Sequence, residues 1–333
     1  MPIHDQHSGS GSGEKSGSLS LASALAAAGD LADARLEIES YLGASGPSAE
    51  VLRLYGFVLW TARDLRVLRE TFEPLSNSAD PELRAIAALQ VGRCEMGVGR
   101  YEAAASSASA ALSNQDIGSV PARDRAELHA LLGRCFFRLR MPEVATNHLR
   151  VSTSLFEASG HREGVADSLI LLGLVEKGSD RWDQSEALTL QALATYRGLA
   201  DPTKVLTATI NLSVLRIFRG RFEAAIDPAR RAVVLADELG DMNRRALSRV
   251  NLGLLLLRSD DNSGSREMLG SALRLATGPE RRRTRALAHE YLGELALKER
   301  RLGDAARWLA RGRTLAAINP DTCLLYTSPS PRD

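Results

Sequence analysis

Residues Val250 to Ala272 read VNLGLLLLRSDDNSGSREMLGSA. The Leu252-Gly253 inside this stretch belongs to a series. Leu132-Gly133, Leu172-Gly173, Leu212-Ser213, Leu252-Gly253 and Leu292-Gly293 stand forty residues apart each time. Ser213 replaces one glycine with the next smallest polar side chain. Twelve residues after each comes another small residue: Ala145, Ser185, Ala225, Ser265, Ala305. A fixed period in this range marks a repeat architecture and decides the fold before any local reading.

Each period holds two helical segments. A glycine on the first lets the second approach closely, and the small residue twelve on is expected to be its matching contact. Apolar residues four and seven further on, such as Leu149, Ala192, Ala232, Leu269 and Ala272, keep an inward stripe at helical spacing. The cadence extends back to the N-terminus. Ala22, Gly56, Gly92 and Gly133 are 34, 36 and 41 residues apart. Between hairpins, Gly160, Gly198, Gly240 and Gly278 fall where a left-handed residue would end a helix. Asp201-Pro202 and Gly278-Pro279 mark further boundaries. Pro142 suits a first helical turn, whereas Pro228 lies inside a helix and is expected to kink it.

These residues resemble tetratricopeptide repeats, most closely at Leu132-Gly133, Ala145, Leu252-Gly253, Ala272, Leu292-Gly293 and Ala305. Tyr101, Trp182 and Phe222 match the family's turn aromatic. The forty-residue unit is longer than the family's usual thirty-four and looks like the form found in bacterial signalling ATPases and transcription activators. The resemblance implies an all-α fold, a right-handed superhelical solenoid of about eight antiparallel helix hairpins over residues 20–322.

Residues 1–19 are Gly/Ser-rich and are expected to form a disordered tail. Within them, Gly9 to Ser16 (GSGSGEKS) lacks the strand and the Gly-Lys pair of a phosphate-binding loop. Residues 323–333 (CLLYTSPSPRD) match the translation of a transposase-type sequencing adapter. The next repeat glycine is due at 333, where Asp333 stands, so the natural chain is expected to continue beyond Thr322.

With 42 Lys+Arg against 41 Asp+Glu, the net charge of +1 gives no reason to expect direct nucleic-acid or membrane contact. Lysine occurs only at 15, 177, 204 and 298, a bias that hints at a GC-rich bacterial genome. Nothing resembles a signal peptide or a membrane span, so a cytoplasmic location is expected. Cys94 and Cys135, each two residues after a repeat glycine, read as small buried residues. The six histidines are scattered without metal-ligand spacing, and no strained serine elbow appears. No enzyme activity, cofactor or metal is expected.

What remains is the concave face that stacked first helices form. By resemblance, it is lined by residues three and two before the repeat glycine, and one, four and five after it. The candidates are Arg134 and Arg138; Ile170, Leu174 and Lys177; Ile210, Asn211, Val214 and Phe218; and Val250, Asn251, Leu254 and Arg258. Phe137, Ile217, Leu257, Tyr291, Glu294 and Lys298 share these positions. The apolar members read either as ordinary packing or as the floor of a groove. Asn211 and Asn251 favour the groove, because a mid-helix asparagine is locally unfavourable and its amide can donate to and accept from an extended peptide backbone. Arg281, Arg282, Arg283 and Arg285 read as a solvated face or as a dock for an acidic partner.

The expected function is therefore a protein-interaction module that binds a peptide segment or partner domain, either a separate protein's or the missing C-terminal part of the same protein. The resemblance points to the regulatory or sensory arm of a larger bacterial signalling protein or transcription regulator. A free-standing scaffold, and the helical part of a signalling kinase or ATPase, remain open.

Overall fold

The computed structural model describes residues 11–316, apart from the side chains of 11–18 and 280. These residues form sixteen α-helices paired into eight hairpins, with no strand among them. In the first compact unit, which ends at Leu171, the pairs are α1 (Gly11–Ala28) with α2 (Leu31–Ser45), α3 (Ala49–Thr61) with α4 (Leu65–Phe72), α5 (Pro81–Gly97) with α6 (Tyr101–Leu112), and α7 (Ala122–Arg138) with α8 (Pro142–Ala158). The second unit starts at Leu172, inside α9 (Arg162–Gly178). It holds α10 (Trp182–Gly198), α11 (Pro202–Phe218) with α12 (Phe222–Leu239), α13 (Met242–Arg258) with α14 (Asn262–Leu275), and α15 (Arg282–Lys298) with α16 (Leu302–Ala316).

The helical backbone begins at Gly11, inside the stretch expected to be a tail. Adding a residue to an existing helix costs far less than starting one, so a polar Gly/Ser segment can continue the turn that follows it. Residues 1–10 and 323–333, and with them the adapter-like end, lie outside the described residues.

Every first helix ends in the same way. One residue takes a left-handed conformation: Gly29, Arg63, Gly99, Arg140, Asp180, Gly220, Asp260 and Arg300 all have φ between 59° and 89°. The next N–H reaches back five residues, as in Met141 to the Phe136 carbonyl at 2.9 Å and Arg301 to the Ala296 carbonyl at 2.8 Å. This motif satisfies the orphan carbonyls of the helix end and turns the chain directly into the second helix. Between hairpins, Gly160 and Gly240 are left-handed as expected, but Gly198 is not. It is the last residue of α10, and Ala200 carries the positive φ of 53° instead.

The repeat glycine marks where the two helices of a hairpin meet. A Cβ on Gly133 would lie 2.5 Å from Leu149 Cγ, one on Gly253 2.7 Å from Leu269 Cγ, and one on Gly293 2.6 Å from Leu309 Cγ. The partner is therefore the residue sixteen further on. The small residue at twelve, buried in all five repeats, supplies backbone: a Cβ on Gly173 would lie 3.3 Å from the Ser185 carbonyl oxygen. Ser185 Oγ also donates to the Gly173 carbonyl at 2.6 Å. Where serine replaces glycine, at Ser213, the residue sixteen on is Ala229 rather than leucine. The smaller partner makes room for the larger residue.

Pro228 sits inside a continuous α12. It has no N–H to give the carbonyl of Ala224. Arg216 of α11 donates to that oxygen at 2.8 Å, and its Nε binds Glu186 Oε1 at 2.8 Å. A side chain of the preceding helix thus replaces the missing backbone bond.

Candidate functional site

Within each unit the first helices share one face, and two register positions meet on it. These are the residue after a repeat glycine and the residue six before the next one. In the first unit they are Phe57 with Ile86, then Arg93 with Glu127, then Arg134 with Asp167. Arg93 donates to Glu127 at 3.1 Å, with Arg134 and Asp167 close enough to act on it. Away from these two positions, Arg53 Nε donates to Asp124 Oδ1 at 2.9 Å, and the same guanidinium pairs with Glu82. Arg134 is half-buried, and Arg138 lies over the Tyr101 ring at 5.0 Å. Ile170, half-buried, also falls in this unit.

In the second unit the same positions are mostly apolar. Leu247 packs against the cluster that holds Val214, and Leu287 against the cluster that holds Leu254. Leu174, Thr207, Leu247 and Leu287 are half-buried. The residues six before each glycine were not among the sequence candidates. The signal was present, because positions −6, −3 and +1 form a single helical stripe.

Four candidates do not reach the surface. Ile210 is 5% exposed, Val214 4%, Val250 0% and Leu254 8%. They fill the contacts between neighbouring hairpins and are core, which corrects their reading as groove lining. Asn211 and Asn251 are half-buried on the adjoining edge of the same helices. The Asn251 Nδ2 is buried and has no hydrogen-bond partner.

The remaining candidates frame this face with charge. Lys177 Nζ stands 5.3 Å from the centre of the Phe218 ring, which in turn stacks on Trp182 at 6.0 Å. Burial, and then Arg283 of α15, lower the Lys177 pKa. Although α9 and α15 are three hairpins apart, Lys177 and Arg283 are close enough for one charge to act on the other. Arg258 is exposed and bound to Glu294 at 2.9 Å. Lys298 donates to the Leu257 carbonyl at 3.1 Å and pairs with Asp260. A cleft of about 360 Å³ lies among Leu257, Arg258, Glu294, Leu297 and Lys298. Arg258 is thus a paired rim residue.

Cys94 and Cys135 are buried thiols, which burial pushes up to about 11, so neither is a ready nucleophile. Among the described residues no three His, Cys, Asp or Glu side chains gather as a metal would require. No helix among them is long and apolar enough to cross a membrane. The histidines are not all isolated. His129 of α7 and His148 of α8 face each other, Nδ1 to Nδ1, at 3.0 Å.

No family model and no curated protein matches the chain. Solved structures do. The apo form of RapI has a TM-score of 0.61 at 12% identity, covering 81% of this chain and 97% of its own. A Rap protein complexed with competence and sporulation factor gives 0.62 at 10% identity, covering 92% and 98%. The Cut9–Hcn1 hetero-tetramer of APC/C gives 0.67 at 15% identity, with 87% of this chain matched to 51% of that one. A putative kinesin light chain of Podosopora anserina with TPR-like repeats gives 0.51 at 13% identity, covering 59% and 95%. At these identities the likeness is one of fold: the chain is a TPR-like, all-α helical repeat protein.

Proposed function

We propose that this chain is a protein-interaction module that takes a peptide segment or partner domain on the first-helix face of its second unit. One observation carries the reading. The positions that hold Arg93 with Glu127 and Arg134 with Asp167 in the first unit are apolar at Leu174, Leu247 and Leu287 in the second, and beside them Asn251 keeps a buried amide donor without a partner. An unpaired buried donor is costly unless something meets it, and the backbone carbonyl of a bound segment would. Leu174, Phe218, Leu247 and Leu287 would hold its apolar side chains. Lys177 and Arg283 would favour an acidic residue at one edge.

The likeness to a Rap protein solved with competence and sporulation factor supports a regulatory or sensory role in a larger bacterial signalling protein or transcription regulator. In that role the bound segment would be either a partner's or another part of the same protein.

A random dodecapeptide library selected on the full chain tests the reading. Selected peptides should bind Asn211→Ala/Asn251→Ala several-fold more weakly, with the melting midpoint nearly unchanged. Equal binding to both proteins would refute it. So would a lowered midpoint with unchanged affinity per folded molecule, which would make both asparagines structural.

A further inference from the structure

On the opposite side of the array, consecutive second helices leave a groove floored by the first helix between them. Its register repeats. Residues eight and four before the repeat glycine lie on the floor, the residue fifteen after it stands on one wall, and the residue twenty-four after the preceding glycine stands on the other. In the sixth hairpin the groove is a cleft of about 480 Å³ between α10 and α12, with Thr209, Arg197 and Pro228 at these positions.

In the seventh hairpin the same groove contains a charge cluster. Arg245 Nε donates to Asp237 Oδ1 at 2.9 Å, and Arg249 Nη2 to Asp237 Oδ2 at 2.7 Å. These hydrogen bonds hold the Asp237 carboxyl below its ordinary range. The chain itself seats a carboxylate between two cations on the groove floor.

In the eighth hairpin the cations are present and the carboxylate is not. Arg285 and His289 occupy the floor positions, one turn apart on α15. Trp308 of α16 stacks on His289 with centroids 5.3 Å apart, and the Arg311 guanidinium lies 5.5 Å from the Trp308 ring centre. The position of Asp237 is taken by Thr277, after α14 has ended at Leu275. Arg285 Nε and His289 Nδ1 are buried and have no hydrogen-bond partner. In the fourth hairpin Arg125 and His129 stand at the same places, but His148 occupies the Trp308 position and takes up the His129 nitrogen.

We propose that the groove between α14 and α16 is an oxyanion site. Arg285 Nε and the Nδ1–H of His289 donate to a carboxylate or a sulfate- or phosphate-type group standing where Asp237 stands one repeat earlier, and Arg311 faces it from α16. The site is separate from the first-helix face and does not depend on the reading given to that face.

The test follows the His289 ring by NMR in the full chain. Burial, Arg311 and Arg285 hold its pKa below the ordinary value; a bound anion must raise it. Sodium sulfate, dianionic throughout the titration, replaces chloride at constant ionic strength. The His289 pKa should rise by about 0.5 to 1 unit. Arg285→Gln should abolish the rise and leave the Trp308 ring-current shift of His289 in place. A second arm substitutes N-acetylglutamate amide for sulfate. A response to both supports a carboxylate ligand, and a response to sulfate alone supports a sulfate- or phosphate-type one. Identical His289 titrations in chloride, sulfate and the glutamate amide, or the same rise in Arg285→Gln, would overturn the proposal.

Discussion

Gly253 and Leu269 illustrate how one pair of residues fixes a hairpin. The leucine fills the space that the missing side chain leaves, with 2.7 Å between its Cγ and where a Cβ would stand. Gly253→Ala should therefore cost about 1–3 kcal/mol through overpacking, although alanine is the better helix former. Leu269→Ala should cost about 2–5 kcal/mol. Combined, they should cost less than the sum by about 1 kcal/mol or more, as urea unfolding of the four proteins would show; strict additivity would dismiss the pairing. The sequence displayed the glycine plainly, but assigned its partner to the small residue at twelve. That residue recurs with the period and so catches the eye. The true partner at sixteen is leucine at 149, 269 and 309, threonine at 189 and alanine at 229, where serine replaces the glycine, so it leaves no constant letter to read. A second residue stands in a conformation its side chain disfavours. Ala200, at φ 53°, should give way to glycine with a gain of about 0.5–1 kcal/mol, the left-handed strain being partly offset by the freedom glycine adds to the unfolded chain. Thermal unfolding of Ala200→Gly measures it, and a loss of stability would contradict the strain.

At the scale of the helix, Pro228 and the histidine pair both depend on a neighbouring element. Arg216 meets the Ala224 carbonyl that Pro228 leaves open, yet an interior proline still costs an intrahelical bond. Pro228→Ala should stabilise the protein by about 1–2 kcal/mol, less than the full cost of a helical proline because the alanine chain regains freedom when unfolded. An unchanged or lower urea midpoint would show that the Arg216 contact compensates fully. His129 and His148 are nineteen residues apart in the sequence; only the antiparallel register of α7 and α8 brings them together. Their centroids are 5.3 Å apart and their nitrogens 3.0 Å. The difference is about the breadth of one ring, so each nitrogen points at the other, as in an N–H···N bond, and they do not converge on a common point as metal ligands must. Burial, then His148, then Arg125 push His129 down to about 4, and burial also lowers His148. The folded state therefore binds these protons less readily than the unfolded one. Their contribution is present above the unfolded value of about 6.5 and is lost as pH falls toward 4. After allowance for solvent screening, unfolding free energy should fall by about 1 kcal/mol from pH 7 to pH 5. His129→Gln should flatten that slope; the same slope in the variant would place the titrating group elsewhere.

For the whole molecule, the forty-residue period made the all-α architecture and the eight hairpins legible, since periodicity survives where individual signatures are weak. The candidate face was only half legible. Val250 and Asn251 are adjacent in sequence, yet one is core and the other holds an unpaired donor. The rotation of a helix about its axis is set by its packing against two neighbours, and one sequence does not reveal that to within a residue. If the period itself holds the molecule together, it should be possible to remove one unit in register. Excising Leu254–Gly293 takes out forty residues and places Leu309 against Gly253, another glycine–leucine match. That protein should remain helical and unfold cooperatively at a lower temperature. Excising Leu254–Leu287 removes thirty-four residues, the usual tetratricopeptide length, and rotates everything downstream by about a third of a turn at 3.6 residues per turn. It should lose cooperative unfolding or aggregate, because the inward stripe of α16 then faces water. Circular dichroism with thermal melting of the two deletions decides the matter: comparable cooperative transitions in both would mean that helix content alone, and not the forty-residue register, sustains the array.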